Sequence, residues 1–67
     1  MDTGKSLRVM QAKFNLSNKA LAKNMGEHEP SISRYRKSKV MSGAAIIAFS
    51  DYFGVACWEF IKVGEEK

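Results

Sequence analysis

The sequence predicts an all-α fold of five short helices, and three observations lead there. Apolar residues recur close to every 3.6 positions along the chain, without the sustained alternation of β-branched residues that a strand needs. Two glycines, Gly26 and Gly54, stand directly after such periodic stretches, where a helix C-cap takes a left-handed residue. Ser17 and Ser42 stand just ahead of the next stretches, where a side-chain oxygen caps the free N–H groups of a helix start.

The first helix is expected over roughly residues 4 to 14, because Leu7, Met10 and Phe14 fall at i, i+3 and i+7 and make one apolar stripe facing a core. Asn15 breaks that pattern. Ser17 caps a second helix whose Ala20, Leu21 and Met25 face inward, and Gly26 stops it. Glu27, His28, Glu29 and Pro30 open the third, since acids suit the positive end of a helix and proline is tolerated in the first turn. That helix runs to about Lys37, and Ser38 to Met41 form a loop. The fourth spans Gly43 to Phe53 with Ile46, Phe49 and Phe53 buried, and Gly54 ends it. A short fifth helix is expected from about Cys57 to Lys62, with Phe60 and Ile61 in the core and a frayed acidic tail over residues 65–67.

With 67 residues and 7.5 kDa the chain is expected to be a single domain over residues 1–67, because two separate cores cannot be built from so little. Most enzyme architectures are thereby excluded. A chain this short buries only about 60% of its unfolded surface, so a partner subunit is an expected source of stability. The composition, 45% hydrophobic and 27% charged, is that of a globular chain and not a disordered one. One cysteine, Cys57, allows no internal disulfide, and one histidine with one cysteine cannot complete a tetrahedral zinc site, so no metal and no cofactor is expected. The longest apolar run, Ala44 to Phe49, is far below the roughly 20 residues of a membrane span, and no apolar signal region opens the chain. A cytoplasmic location follows as the expectation.

Charge is segregated. Up to Lys39, nine basic side chains stand against three acidic ones, a net +6, whereas from Val40 onward two stand against four, a net −2. A cationic half on a small domain suggests a polyanion as partner, nucleic acid ahead of membrane, since no basic helix with a large apolar face accompanies it.

The second and third helices form a helix-turn-helix pattern: a short helix, a glycine-containing turn, then a helix with a polar, basic outer face. The residues Leu16-Ser17-Asn18-Lys19-Ala20-Leu21-Ala22-Lys23-Asn24-Met25-Gly26, then Ser31-Ile32-Ser33-Arg34-Tyr35 with Lys39, and finally Tyr52-Phe53-Gly54-Val55 carry a resemblance to a known family. Over about Ser6 to Gly64 the chain resembles the lambda-repressor-like helix-turn-helix DNA-binding family of Cro and XRE type. The spacing from Ala22 through Gly26 to Ile32 is its specific part. The resemblance implies a compact five-helix domain that lays its third helix in the DNA major groove, usually as a dimer on a two-fold operator, and a phage or mobile-element origin in a bacterial host.

Projected at ~100° per residue with Ile32 at zero, Tyr35 and Arg36 lie within roughly 60° of the inward direction, while Pro30, Ser33, Arg34 and Lys37 cluster between roughly 100° and 200°. By family position Glu29, Pro30, Arg34 and Ser33 are the base-edge readers. Arg34 leads, because a guanidinium donates two parallel hydrogen bonds to guanine O6 and N7. Phosphates would be held by Ser17, Asn18 and Lys19 at the start of the second helix, by Ser31, and by Lys37 and Lys39 after the third.

Some residues depart from the family pattern. Glu29 is either a specificity element accepting from cytosine N4 or a partner of the helix dipole. Pro30 offers at most apolar contact to a thymine methyl, and a structural role as helix start is expected of it. Arg36 stands where relatives carry a glutamate paired to a first-helix arginine, and the facing residue here is Gln11, so that bridge is expected to be missing. Arg36 then either turns out to DNA or pairs elsewhere. His28 is expected as a helix cap and not a ligand, and Cys57 as a small packed residue without a base partner. No Gly-rich phosphate loop, paired carboxylates or Ser/His/Asp set can be assembled, so no catalysis is expected. Trp58 either packs in the core or, with Phe60 and Val63, makes an exposed apolar patch for a dimer interface. The expected function is operator occupancy by a transcriptional regulator. The alternative is an antirepressor or antitoxin-like protein-binding module on the same fold, motivated by the acidic Glu27 and Glu29.

Overall fold

A computed structural model describes residues 1–65. Helices α1 (Thr3–Lys13), α2 (Asn18–Met25), α3 (Glu29–Lys37), α4 (Gly43–Phe53) and α5 (Cys57–Glu65) follow one another, and no strand occurs among the described residues. The all-helical expectation is met, and no single helix is long and apolar enough to cross a membrane.

Local chemistry sets most helix ends. Asp2 Oδ1 accepts from the Lys5 N–H at 3.0 Å, Ser17 Oγ from Ala20 at 3.1 Å and Ser42 Oγ from Ala45 at 3.2 Å, each satisfying one orphan donor of a helix start. Glu59 does the same in reverse for α5, its Oε1 accepting from the Ala56 N–H at 3.1 Å. Gly26 and Gly54 close α2 and α4 with φ of 69° and 71°. Asn15 takes φ 54° in the link from α1 to α2, a left-handed position that asparagine tolerates better than most residues.

Helix α1 is the central element. It packs on α3 along one side and on α5 along another, α2 packs on α3, and α4 closes against α5. Leu7, Met10, Leu21, Ile32, Met41, Phe49, Phe53 and Phe60 form the buried centre. Tyr35 meets Phe49 edge-on at 5.4 Å, and Phe49 stacks on Phe60 at 6.2 Å, which ties α3 to α4 and α5 through aromatic rings.

Several positions differ from the sequence expectation. Phe14 is 52% exposed: α1 ends at Lys13, and the ring stacks on Phe53 at the rim instead of entering the core. Ala20, Met25, Ile46 and Ile61 are only half-buried, and Ala22, Ala45 and Ser50 take the inward places beside them. Cys57 is exposed and not packed, because it sits in the first turn of α5 on the solvent side. Helix α5 continues past Lys62 to Glu65, since Gly64 lets it close onto α1: a Cβ there would strike the Asp2 carbonyl and Ser6 Oγ. The tail expected to fray therefore contributes Glu65 to a helix, and residues 66–67 lie outside the described residues.

Another close approach fixes α3. The first N–H groups of α1 donate to carbonyls just beyond α3, Thr3 N to Lys39 O and Gly4 N to Ser38 O, both at 2.8 Å. Thr3 Oγ1 adds a bond to Lys39 O at 3.2 Å and accepts from Met41 N at 2.8 Å. Only glycine fits at position 4, because a Cβ would lie 2.7 Å from Arg36 O and closer still to Ser38 O. Those atoms are backbone and cannot swing away. Gly4→Ala is therefore expected to cost about 2 to 3 kcal/mol by overpacking, lowering Tm by roughly 10 to 20 °C. Gly43→Ala meets nothing within 4 Å and should change stability by less than about 1 kcal/mol. Thermal unfolding of the two variants checks the contrast, and a Gly4→Ala protein as stable as the parent would contradict the docking.

Candidate nucleic-acid interface

Helices α2 and α3 pack against each other across the short turn Gly26–His28. The turn starts from the left-handed Gly26, and the Glu27 N–H bonds back to Ala22 O at 2.8 Å, which fixes the angle at which the chain leaves α2. His28 occupies the N-cap of α3 as expected, with extended backbone and no cap hydrogen bond from its side chain. Pro30 lies in the first turn, where a missing N–H costs nothing.

The inner side of α3 is Ile32, fully buried, with Tyr35 and Arg36 half-buried beside it. The outer side carries Pro30, Arg34 and Lys37, all exposed, with Glu29 exposed at its start and Ser31 and Ser33 half-buried on the flanks. Arg34 Nη2 rests on Ser31 Oγ at 3.3 Å, an exposed contact. Thus the four residues expected to read bases and the expected Lys37 share one helix, and four of these five, all but Ser33, are exposed.

At the start of α2, Ser17 and Lys19 are exposed and Asn18 is half-buried. The Ser17 oxygen is occupied as a cap acceptor, and its hydroxyl proton remains able to donate. Lys39 is exposed in the loop after α3, where its backbone carbonyl is held by Thr3. Exposed lysines and a serine thus stand at the start of α2 and just after α3.

Arg36 corrects one expectation. A bridge between its position and Gln11 exists, as a hydrogen bond: Arg36 Nη1 donates to Gln11 Oε1 at 2.7 Å. The arginine is thereby turned to the protein and away from the outer face. Gln11 is 2% exposed and passes the contact on, its Nε2 donating to Asn18 Oδ1 at 2.9 Å and to Leu16 O at 3.3 Å. Arg8, also overlooked in the sequence, donates through Nη1 to the Arg36 carbonyl and caps the end of α3. The signal for Gln11 was a polar residue one turn after Leu7 on the inward stripe of α1, where only a satisfied side chain survives. Every buried side-chain polar atom has a partner among the described residues.

The expected interface patch on α5 is divided. Phe60 is fully buried against Phe49 and cannot take part, because it lies on the opposite side of the helix from Trp58. Trp58 is 65% exposed and lines a shallow depression with Glu59, Lys62 and the half-buried Val63.

The two arginines of α3 should separate cleanly. Arg36→Leu leaves buried Gln11 Oε1 without a donor and is expected to cost about 1 to 3 kcal/mol. Arg34→Leu on the outer side should stay within about 0.5 kcal/mol of the parent, and urea unfolding midpoints measure both. Comparison of the chain with protein-family models, curated proteins and solved structures finds no match, so the reading of this surface rests on its own geometry and chemistry.

Proposed function

We propose that the chain is a sequence-specific, double-stranded-DNA-binding transcriptional regulator of the lambda-repressor-like helix-turn-helix type. Helix α3 lies in the major groove, and the protein acts by occupying an operator. The observation that carries this reading is the outer side of α3, where Arg34 and Lys37 stand exposed directly opposite buried Ile32. A helix held from beneath with a free cationic face has the width and charge that the major groove admits.

Within this reading Arg34 donates its fork to a guanine, Glu29 accepts from a cytosine amine, Pro30 touches a thymine methyl and Ser33 reaches a base edge from the flank. Ser17, Asn18 and Lys19 on one side, and Ser31, Lys37 and Lys39 on the other, hold phosphates. If each subunit neutralises about 3 to 5 phosphates, binding weakens steeply with added salt through counterion release.

The experiment is a titration of a random-sequence duplex at low and moderate salt, followed by selection of preferred sites from randomised DNA. Lys37→Ala should weaken binding to all sequences alike and reduce the salt slope by about 1. Arg34→Ala should instead relax preference at one base pair by about 1 to 3 kcal/mol. A parent protein that binds no duplex at any salt would point to a protein partner, with Glu27 and Glu29 in its contact surface.

A second copy of the chain completes the reading, because a two-fold operator needs two recognition helices. Trp58 with Val63 is the apolar surface offered to that copy. Sedimentation of the parent should reveal a concentration-dependent dimer that Trp58→Ala abolishes, and a monomer for both removes the dimer.

A further inference from the structure

The side chains of Arg36, Gln11 and Asn18 form a hydrogen-bonded line from the inner side of α3, through α1, to the first residue of α2. Its polarity is dictated by chemistry. A guanidinium has donors only, so Gln11 must turn its Oε1 to Arg36, and the Leu16 carbonyl has only acceptor capacity, so Gln11 must turn its Nε2 that way. Both neighbours therefore demand the same orientation of one buried amide. With its Nε2 so directed, Gln11 can accept nothing from Asn18, and Asn18 is left to present Oδ1 inward.

We propose that Arg36, acting through Gln11, holds the Asn18 carboxamide with its Nδ2 amine outward, so that α2 offers a donor and not an acceptor to a phosphate oxygen. The inference rests on the DNA-binding reading above. Arg36 and Gln11 are positioning residues in it, and Asn18 makes the contact. Asn18 is half-buried between exposed Ser17 and Lys19, and Nδ2 makes no hydrogen bond among the described residues. An asparagine free to rotate exposes oxygen or nitrogen with similar ease, and the oxygen repels a phosphate. The line of contacts removes that wrong orientation before DNA arrives, which lowers the ordering cost of binding. A cation on the inner side of α3 thus contributes to a backbone grip at the start of α2 without touching DNA.

The test reads the line both with and without DNA. In the free protein, hydrogen exchange of side-chain amides should be slow for Gln11 Nε2 and fast for Asn18 Nδ2; protected Asn18 or fast-exchanging Gln11 protons would overturn the proposal. For DNA, a random-sequence duplex is titrated with the parent, Asn18→Ala, Gln11→Glu and the double variant. Asn18→Ala should lose about tenfold in affinity with an unchanged salt slope, because a neutral donor releases no counterion. Gln11→Glu still accepts from Arg36 but supplies no donor, so Asn18 turns its oxygen outward and affinity falls by about the same factor or more. In the Asn18→Ala background that loss should shrink to the small general effect of the added charge. A loss that persists in full, or a Gln11→Glu protein that binds like the parent, sinks the relay. Should Gln11→Glu unfold, Gln11→Met replaces it, with the same coupling to Asn18 expected and full additivity as the contrary result. A parent protein that binds no duplex overturns the proposal through its premise, and amide exchange then separates that failure from a failure of the line itself.

Discussion

The N–H groups that open α1 and the carbonyl groups that follow α3 are each other's partners, and the placement of α3 depends on that pairing. A helix start leaves donors bare and a helix end leaves acceptors bare, and each costs free energy if buried without a partner. Here one set satisfies the other through Thr3 and Gly4, with Thr3 Oγ1 carrying the contact on to Met41 and so to the entry of α4. The positive end of one helix dipole meets the negative end of another. The close approach needs a residue without a Cβ, and Gly4 is that residue.

With its far end pinned and Ile32 and Tyr35 packed beneath it, α3 has no structural use for its outer side. That side is free to carry charge for a ligand. The two arginines of this helix, two positions apart, illustrate the division. Arg34 is turned to solvent by the helical screw, while Arg36, rotated by ~200°, falls toward α1 and spends its charge on a buried amide. Equal in composition, they differ in what surrounds them.

A small chain buries little apolar surface, and this one places Thr3, Ser6, Gln11 and Ser50 inside as well. All four are satisfied: Ser6 bonds Asp2 O at 3.3 Å and Ser50 bonds Ile46 O at 2.6 Å, beside the contacts of Thr3 and Gln11 already described. Ser6 and Ser50 bond back to carbonyls four residues earlier, whereas Thr3 and Gln11 bond to other elements and so help to fix which partner each helix meets, and at what height. The interior of α1 accordingly reads as a polar and apolar mixture, which is why a stripe of Leu7, Met10 and Phe14 was an incomplete account of its inward face.

Helix content, the caps at Ser17 and Ser42, the stops at Gly26 and Gly54 and the orientation of α3 were legible in the sequence, because each depends on residues within a turn or two of one another. The grouping of Arg34, Lys37 and Pro30 on one side followed from the same short-range geometry. What tertiary structure alone decided involves partners distant along the chain: Gly4 against Ser38, Gly64 against Asp2 and Ser6, Arg36 against Gln11, and Phe60 inside while Trp58 stays outside. Periodicity reports that a helix has an inner side, but which neighbour covers it, and how closely, is set by the packing of all five helices together.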